Sequence, residues 1–241
     1  TRNLCAIMLA DAAHIQEAEA AWKNRKAKRS GEEGYMPMYT LEDVQDLMPC
    51  FHTVDYGTPI EPCNGVRVEF FDAGHLLGSA SIKLTITENG VPHRIVFSGD
   101  VGTPKRPLLR APVSPDEADT LVIESTYGDR EREPQPKDLE KRLAEIIDST
   151  LTGGGNVVIP SFAVGRTQEL LYMLRRIKEQ QLSMLDFPVW LDSPLAIEAT
   201  SIYQETLRSY FDSETNALLD RGINPIGFDG LYLAATSDAS R

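Results

Sequence analysis

Three residues in this sequence stand where side chains can do chemistry. His75 lies in Asp72-Ala73-Gly74-His75-Leu76-Leu77-Gly78-Ser79-Ala80, between two glycines and after the apolar run that ends at Phe71. Asp100 follows 25 residues later in Phe97-Ser98-Gly99-Asp100, again after an apolar run and beside a glycine. Glu124 closes a third such run and opens Glu124-Ser125-Thr126-Tyr127-Gly128. Each position reads as the end of a strand, from which a side chain projects into a cleft. An imidazole and a carboxylate presented this way are typical nitrogen and oxygen ligands of zinc. Two residues alone are also consistent with plain turn and core positions.

The elements that must carry them begin with a helix. Leu4, Ile7, Met8, Ile15 and Trp22 recur at helical spacing, which predicts one long helix or two joined ones over Asn3–Trp22. Asp11 and His14 lie three apart on its face, as a hydrogen-bonded pair or as a metal-linked one. Lys23 to Arg29 is the densest basic run, read as a solvated helix end or a phosphate contact, and Ser30 to Tyr39 reads as a mobile loop. Thr40 before Leu41-Glu42-Asp43 is an N-cap with acidic first-turn residues, starting a short helix that Pro49 ends. Four short strands follow, over 51–56, 66–71, 79–87 and 93–98, with Asn89-Gly90 as the hairpin turn between the last two. Apolar and polar residues alternate in 81–87, predicting one buried and one wet face. His52 and His93 read as solvated or core histidines.

A proline-rich connection over 102–116 leads to a buried strand over 119–124. Beyond Asp129 helix and strand alternate: a helix around Leu139–Ile147, stopped by Gly153–Gly155, a buried strand over 157–160, a helix over 165–178, a strand over 188–192 and a helix over 194–211. That rhythm predicts a parallel sheet covered by helices, and a domain boundary near residue 129.

Composition narrows the function classes. With 24 basic against 36 acidic residues the formal net charge is −12, which argues against indiscriminate binding to nucleic acid or anionic membrane. A locally basic groove, or one where metal ions supply the positive charge, remains compatible. Cys5, Cys50 and Cys63 have neither zinc-finger nor redox spacing and read as reduced thiols of a cytoplasmic protein. No apolar run approaches the roughly 18 residues that would span a bilayer.

With these residues in hand, the chain resembles the metallo-β-lactamase superfamily and, within it, the RNA-processing branch that carries a β-CASP domain. The stretch 72–80 is similar to the third motif of that family, whose histidine binds zinc, and Ser98-Gly99-Asp100 to the fourth, whose aspartate bridges two zinc ions. Ile123 to Gly128 resembles the acidic motif that opens the β-CASP segment. Pro160 to Leu171, Leu191 to Ala196 and Asp11 to Glu17 are similar to further family stretches. The resemblance implies an α/β fold: part of a metallo-β-lactamase αββα sandwich over 1–128, then part of a β-CASP parallel α/β domain over 129–241.

It also implies roles. His75 and Asp100 would be metal ligands and Asp100, with Glu124, catalytic. Glu124 would orient a histidine and help to protonate the leaving oxygen. Ser161 and Arg166 would bind substrate, a salt bridge with Glu169 being the other reading of Arg166. Asp11 and His14 would be site-adjacent. The implied cofactor is zinc, two ions in the intact family, and the implied reaction is RNA phosphodiester hydrolysis, endo- or 5′-exonucleolytic. The implied partner is RNA and not a membrane, with a homodimer as one open assembly.

Departures from the pattern matter equally. The main zinc motif of the family, His-x-His-x-Asp-His, is not in these residues, nor are its two later histidine motifs, and Arg132 stands where relatives often have a histidine. The expectation is an internal fragment of a longer enzyme, binding zinc weakly or not at all by itself and inactive alone. Two other readings stay open: a small-molecule hydrolase of the same superfamily, and a non-catalytic RNA-binding or scaffold subunit.

Overall fold

The computed structural model describes residues 1–30, 34–104, 106–131, 138–206 and 208–235. Part of the expected loop over 30–39, and Arg132, lie outside the described residues. The chain forms two compact units, 1–54 and 55–241.

The first unit is helical. α1 is a single helix over Arg2–Ser30, longer than its apolar spacing indicated because the basic run continues it. Lysine and arginine are good helix formers, so solvation of their charges does not end the helix. α2 spans Leu41–Leu47 and begins as expected: the Thr40 side chain accepts from the Asp43 backbone N–H, and the Asp43 carboxylate accepts from Thr40 in return. Asn24 of α1 secures the incoming chain through both hydrogen bonds to the Tyr35 backbone, at 2.6 and 2.9 Å.

The second unit is built on a five-stranded mixed sheet in the order β1-β2-β3-β4-β5. β1 (Ile60–Cys63), β2 (Val66–Asp72), β3 (Ala80–Glu88) and β4 (Val91–Phe97) run antiparallel to their neighbours, and β5 (Thr120–Val122) joins β4 in parallel. Asn89 and Gly90 both take positive φ, 51° and 80°, which is what a tight two-residue hairpin requires. Register decides where the chemistry lies. Asp72 at the end of β2 faces Ala80 at the start of β3, Phe97 at the end of β4 faces Ile82, and Val122 at the end of β5 faces Phe97. The loops that carry His75, Asp100 and Glu124 therefore leave the same end of the sheet.

Helices follow: α3 (Leu139–Thr152), α4 (Arg166–Glu179), α5 (Pro194–Glu205) and α6 (Ser213–Asp220), with β6 (Val189–Leu191) and β7 (Leu231–Leu233) as a parallel pair. Ala144 and Ile147 of α3 pack against Leu174 and Ile177 of α4 and Phe187, a core produced by the apolar periodicity of both helices. The fold is mixed α/β with parallel strands, as expected.

Five local expectations are corrected. Residues 51–56 form no strand: they follow a 3-10 turn over Met48–Cys50 and find no ladder partner. Residues 157–160 likewise form no strand among the described residues, and Val158 is 85% exposed. β5 exists but is not buried, since Leu121, Val122 and Ile123 are all more than half or about half exposed. The helix after Pro194 ends at Glu205 rather than at Phe211. Nor does β3 alternate in burial: Ser81 is its buried residue, and Lys83 and Thr85 are half-buried like their apolar neighbours.

Candidate active site

The loop between β2 and β3 is held in shape from within. Asp72, buried, accepts the Gly74 N–H at 2.9 Å, and the Ser79 hydroxyl accepts both the His75 and the Leu76 N–H groups at 3.1 Å. Gly74 has φ +61°, and a Cβ there would lie 2.8 Å from the nitrogen of Pro112, so only glycine fits. The Ala73 N–H donates to the Ser79 carbonyl, and the Tyr56 hydroxyl donates to the same oxygen at 2.7 Å. The spacing of Asp, Gly, His and Ser over 72–79 thus specifies a closed loop with the His75 ring at its rim.

The loop after β4 meets it. Gly102 donates its N–H to the Ala73 carbonyl at 2.8 Å. Ser98 couples the strand ends by donating to the Gly99 carbonyl at 2.7 Å and accepting the Glu124 N–H at 3.0 Å. In this arrangement His75 Nε2 and Asp100 Oδ2 stand 3.8 Å apart, the imidazole one-third exposed and the carboxylate two-thirds exposed. The two residues that the sequence placed 25 positions apart converge at the open edge.

Glu124 joins them through the backbone. Its Oε1 accepts the Val101 N–H at 2.7 Å and its Oε2 accepts the Thr126 hydroxyl at 2.8 Å. These hydrogen bonds, chiefly the one from Val101, hold its carboxyl below the ordinary value of 4.5, and the charge of His75 adds to the effect. A carboxylate with both oxygens so occupied ties the loop after β4 to the end of β5.

That shift has a pH signature. The pKa of Glu124 is lower in the folded than in the unfolded chain, so its contribution is complete above the unfolded value and is lost as pH falls through the folded one. The Val101 amide resonance in a pH titration is therefore expected to move with a midpoint below 4.5. A midpoint at or above that value would show that the Val101–Glu124 hydrogen bond does not form in solution.

α4 stands beside the His75 loop. Gly165 precedes it with φ +85°, and a Cβ there would overlap Leu76 Cδ2, so the two segments approach as closely as glycine permits. Gln168, fully buried, accepts the Gly165 N–H at 2.7 Å and donates to the Ala163 carbonyl and the Thr200 hydroxyl, which fixes the start of α4 against α5. The expected substrate-binding residues lie here. Ser161 hydrogen-bonds Thr167 through their hydroxyls at 2.8 Å. Arg166, 59% exposed, pairs with Glu169 at 2.8 Å, the salt bridge that was its alternative reading. Sequence reasoning missed Arg106, which sits in the proline-rich connection. It pairs with Glu169 and donates to the His75 carbonyl at 2.6 Å.

Asp11 and His14 belong to the first unit. His14 is exposed on α1, and its Nδ1 stands 4.0 Å from Glu17 rather than within hydrogen-bonding distance of a carboxylate.

As metal donors, His75 and Asp100 supply one nitrogen and one carboxylate from converging loops, a fitting part of a ligand set. Among the described residues, no three or more His, Cys, Asp or Glu side chains gather to hold an ion. A tight site ordinarily takes at least three protein donors.

Comparison with known proteins is consistent with this geometry. Residues 167–241, from the first turn of α4 onwards, match the Beta-Casp domain family. The chain is 34% identical over 205 residues to a protein named ribonuclease TTHA0252 of Thermus thermophilus, covering 85% of this chain and 45% of that protein. It is 35% identical over 192 residues to an RNase J-like protein of Methanocaldococcus jannaschii, covering 78% and 44% respectively. With an endoribonuclease YSH1 of Yarrowia lipolytica the identity is 34% over 200 residues, covering 83% of this chain and 24% of the relative. The chain thus spans less than half the length of each of these relatives. Residues 167–241 thus belong to the Beta-Casp domain family, and the chain as a whole is similar to ribonucleases, in agreement with the resemblance its motifs carry.

Proposed function

We propose that this chain is the middle part of a zinc-dependent ribonuclease, with a partial metallo-β-lactamase domain over 1–128 and a partial β-CASP domain over 129–241. The observation that carries the reading is the convergence of His75 and Asp100 at one end of the sheet, 3.8 Å apart, with Glu124 tied into the same loop. The names of the relatives, ribonuclease and endoribonuclease, favour RNA as substrate. No helix among the described residues is long and apolar enough to cross a membrane, and we place the protein in the cytoplasm with reduced cysteines.

His75 and Asp100 would hold the metal, and a bound zinc ion would make a water acidic enough to attack a phosphodiester near pH 7. The residues of the chain have their own tasks. Asp100 presents an exposed carboxylate at the rim, 3.8 Å from the His75 imidazole. Glu124, ionised, holds the Val101 backbone and so the loop that carries Asp100. Arg166 at the start of α4, oriented by Glu169, offers its outer guanidinium edge to a backbone phosphate. With a net charge of −12 on this chain, such local cations must guide an RNA strand that the chain as a whole repels.

The test is the polypeptide of the whole open reading frame, offered a single-stranded RNA beside nitrocefin and a thioester. Metal-dependent cleavage of the RNA alone is the expected outcome. Turnover of either small molecule in preference to RNA would assign the protein to small-molecule hydrolysis. RNA binding without cleavage would make it a non-catalytic subunit.

A further inference from the structure

The proposed chemistry gives Glu169 no task beyond orienting Arg166, yet its surroundings are built around it. It sits in the first turn of α4 with its side chain only 8% exposed. Oε1 pairs with the Arg106 guanidinium and Oε2 with Arg166. Leaving one member of such a buried pair without its partner is strongly unfavourable, so Arg106 and Glu169 are held to each other. Arg106 is itself mostly buried, and its remaining arm donates from Nη1 to the carbonyl oxygen of His75 at 2.6 Å. One planar guanidinium thus joins a helix of the second half of the unit to the peptide group that carries the candidate ligand. The next residue, Leu76, lies against Gly165, the residue preceding the same helix.

The His75 peptide is therefore gripped from two directions. From the sheet side Ser79 takes its N–H, and from the α4 side Arg106 takes its carbonyl. Two fixed ends of one residue leave its Cα–Cβ direction little freedom, and that direction aims the ring at Asp100.

We propose that Glu169 is a positioning residue: acting through Arg106, it fixes the His75 backbone so that the imidazole faces Asp100. This rests on His75 belonging to the site proposed above. Glu169 contacts no reacting group, and it orients Arg166 from the same carboxylate.

The four histidines of the chain, His14, His52, His75 and His93, give the test a built-in control. The whole chain is prepared as wild type and as Glu169→Gln, and the imidazole Hε1 resonances are recorded together with amide hydrogen exchange. In folded Glu169→Gln the His75 signal is expected to move or broaden while the other three stay in place. Exchange at the protected amides of 75–79 is expected to rise about tenfold or more, with α3 and the β3–β4 ladder unchanged. An unchanged His75 signal and unchanged loop exchange would overturn the proposal, as would equal changes at all four histidines. If Glu169→Gln does not fold, Arg106→Gln removes the connecting arm from its more exposed side and is read by the same criteria. Neither readout needs RNA or metal. Failure of the polypeptide of the whole open reading frame to cleave RNA would sink the functional reading without moving either of them.

Discussion

Replacing Asp100 by asparagine in the polypeptide of the whole reading frame is expected to lower RNA cleavage by about 10³-fold or more, roughly 4 kcal/mol of transition-state stabilisation. The substitution is nearly isosteric, so it removes a negative charge without changing shape. Its cost to folding is small, because the Asp100 side chain is two-thirds exposed and stands 3.8 Å from the His75 imidazole, beyond hydrogen-bonding distance. An exposed pair of that kind contributes little to stability. Thermal unfolding should therefore match wild type within about 0.5 kcal/mol, the usual range for surface changes. The two measurements together separate chemistry from folding. Cleavage within tenfold of wild type would remove Asp100 from the site and, with it, the observation on which the functional reading stands.

Gly102→Ala is expected to give the largest loss of stability, about 3 kcal/mol or more by overpacking against backbone that cannot step aside. A Cβ at this position would overlap the carbonyl group of Gly74, one residue before His75. Separating the two segments to make room would also break the hydrogen bond from the Gly102 N–H to the Ala73 carbonyl. Gly90→Ala is the control. Gly90 has φ +80° and open space around it, so alanine there meets only backbone strain of about 1–2 kcal/mol. Urea unfolding of both variants compares overlap with strain directly. If Gly102→Ala proved no less stable than Gly90→Ala, the close approach of the two site loops would be refuted.

Both expectations turn on how closely the loops after β2 and β4 meet, and Glu124 adds a third strand end to the same place. The sheet end is crowded with backbone-to-backbone contacts, while the side chains that face outwards, Asp100 above all, are free of them. A rigid base under exposed functional groups is the arrangement a site needs, because positional error in the base would spread directly to the groups it carries. The Arg106–Glu169 pair extends that base to α4, and the Leu76–Gly165 contact closes it.

Away from this edge the second unit exposes apolar surface. Leu121, Val122 and Ile123 on and beside β5 face solvent. So do Trp190 and Tyr232, which stack on one another at 4.7 Å across the β6–β7 pair. These strands carry the composition of a buried sheet without the burial.

What the sequence determined by itself was local in origin. The Thr40 cap, the Asn89-Gly90 turn and helices α3 and α4 follow from interactions between residues at most a few positions apart, and each formed where its pattern stood. The closed loop over 72–79 belongs with them, since its hydrogen bonds join residues within one short stretch. Only the tertiary structure decided the rest. An apolar run becomes a strand when another strand supplies its hydrogen bonds, and no run states whether that neighbour is present. For this reason 51–56 and 157–160 stayed unpaired and β5 stayed exposed. The meeting of His75 with Asp100 required the register of three strands, and the link from Glu169 through Arg106 to His75 required a helix from the far half of the chain to pack beside that loop. Spacing along a chain can nominate a residue for chemistry, but its distance from a partner is set by packing between elements.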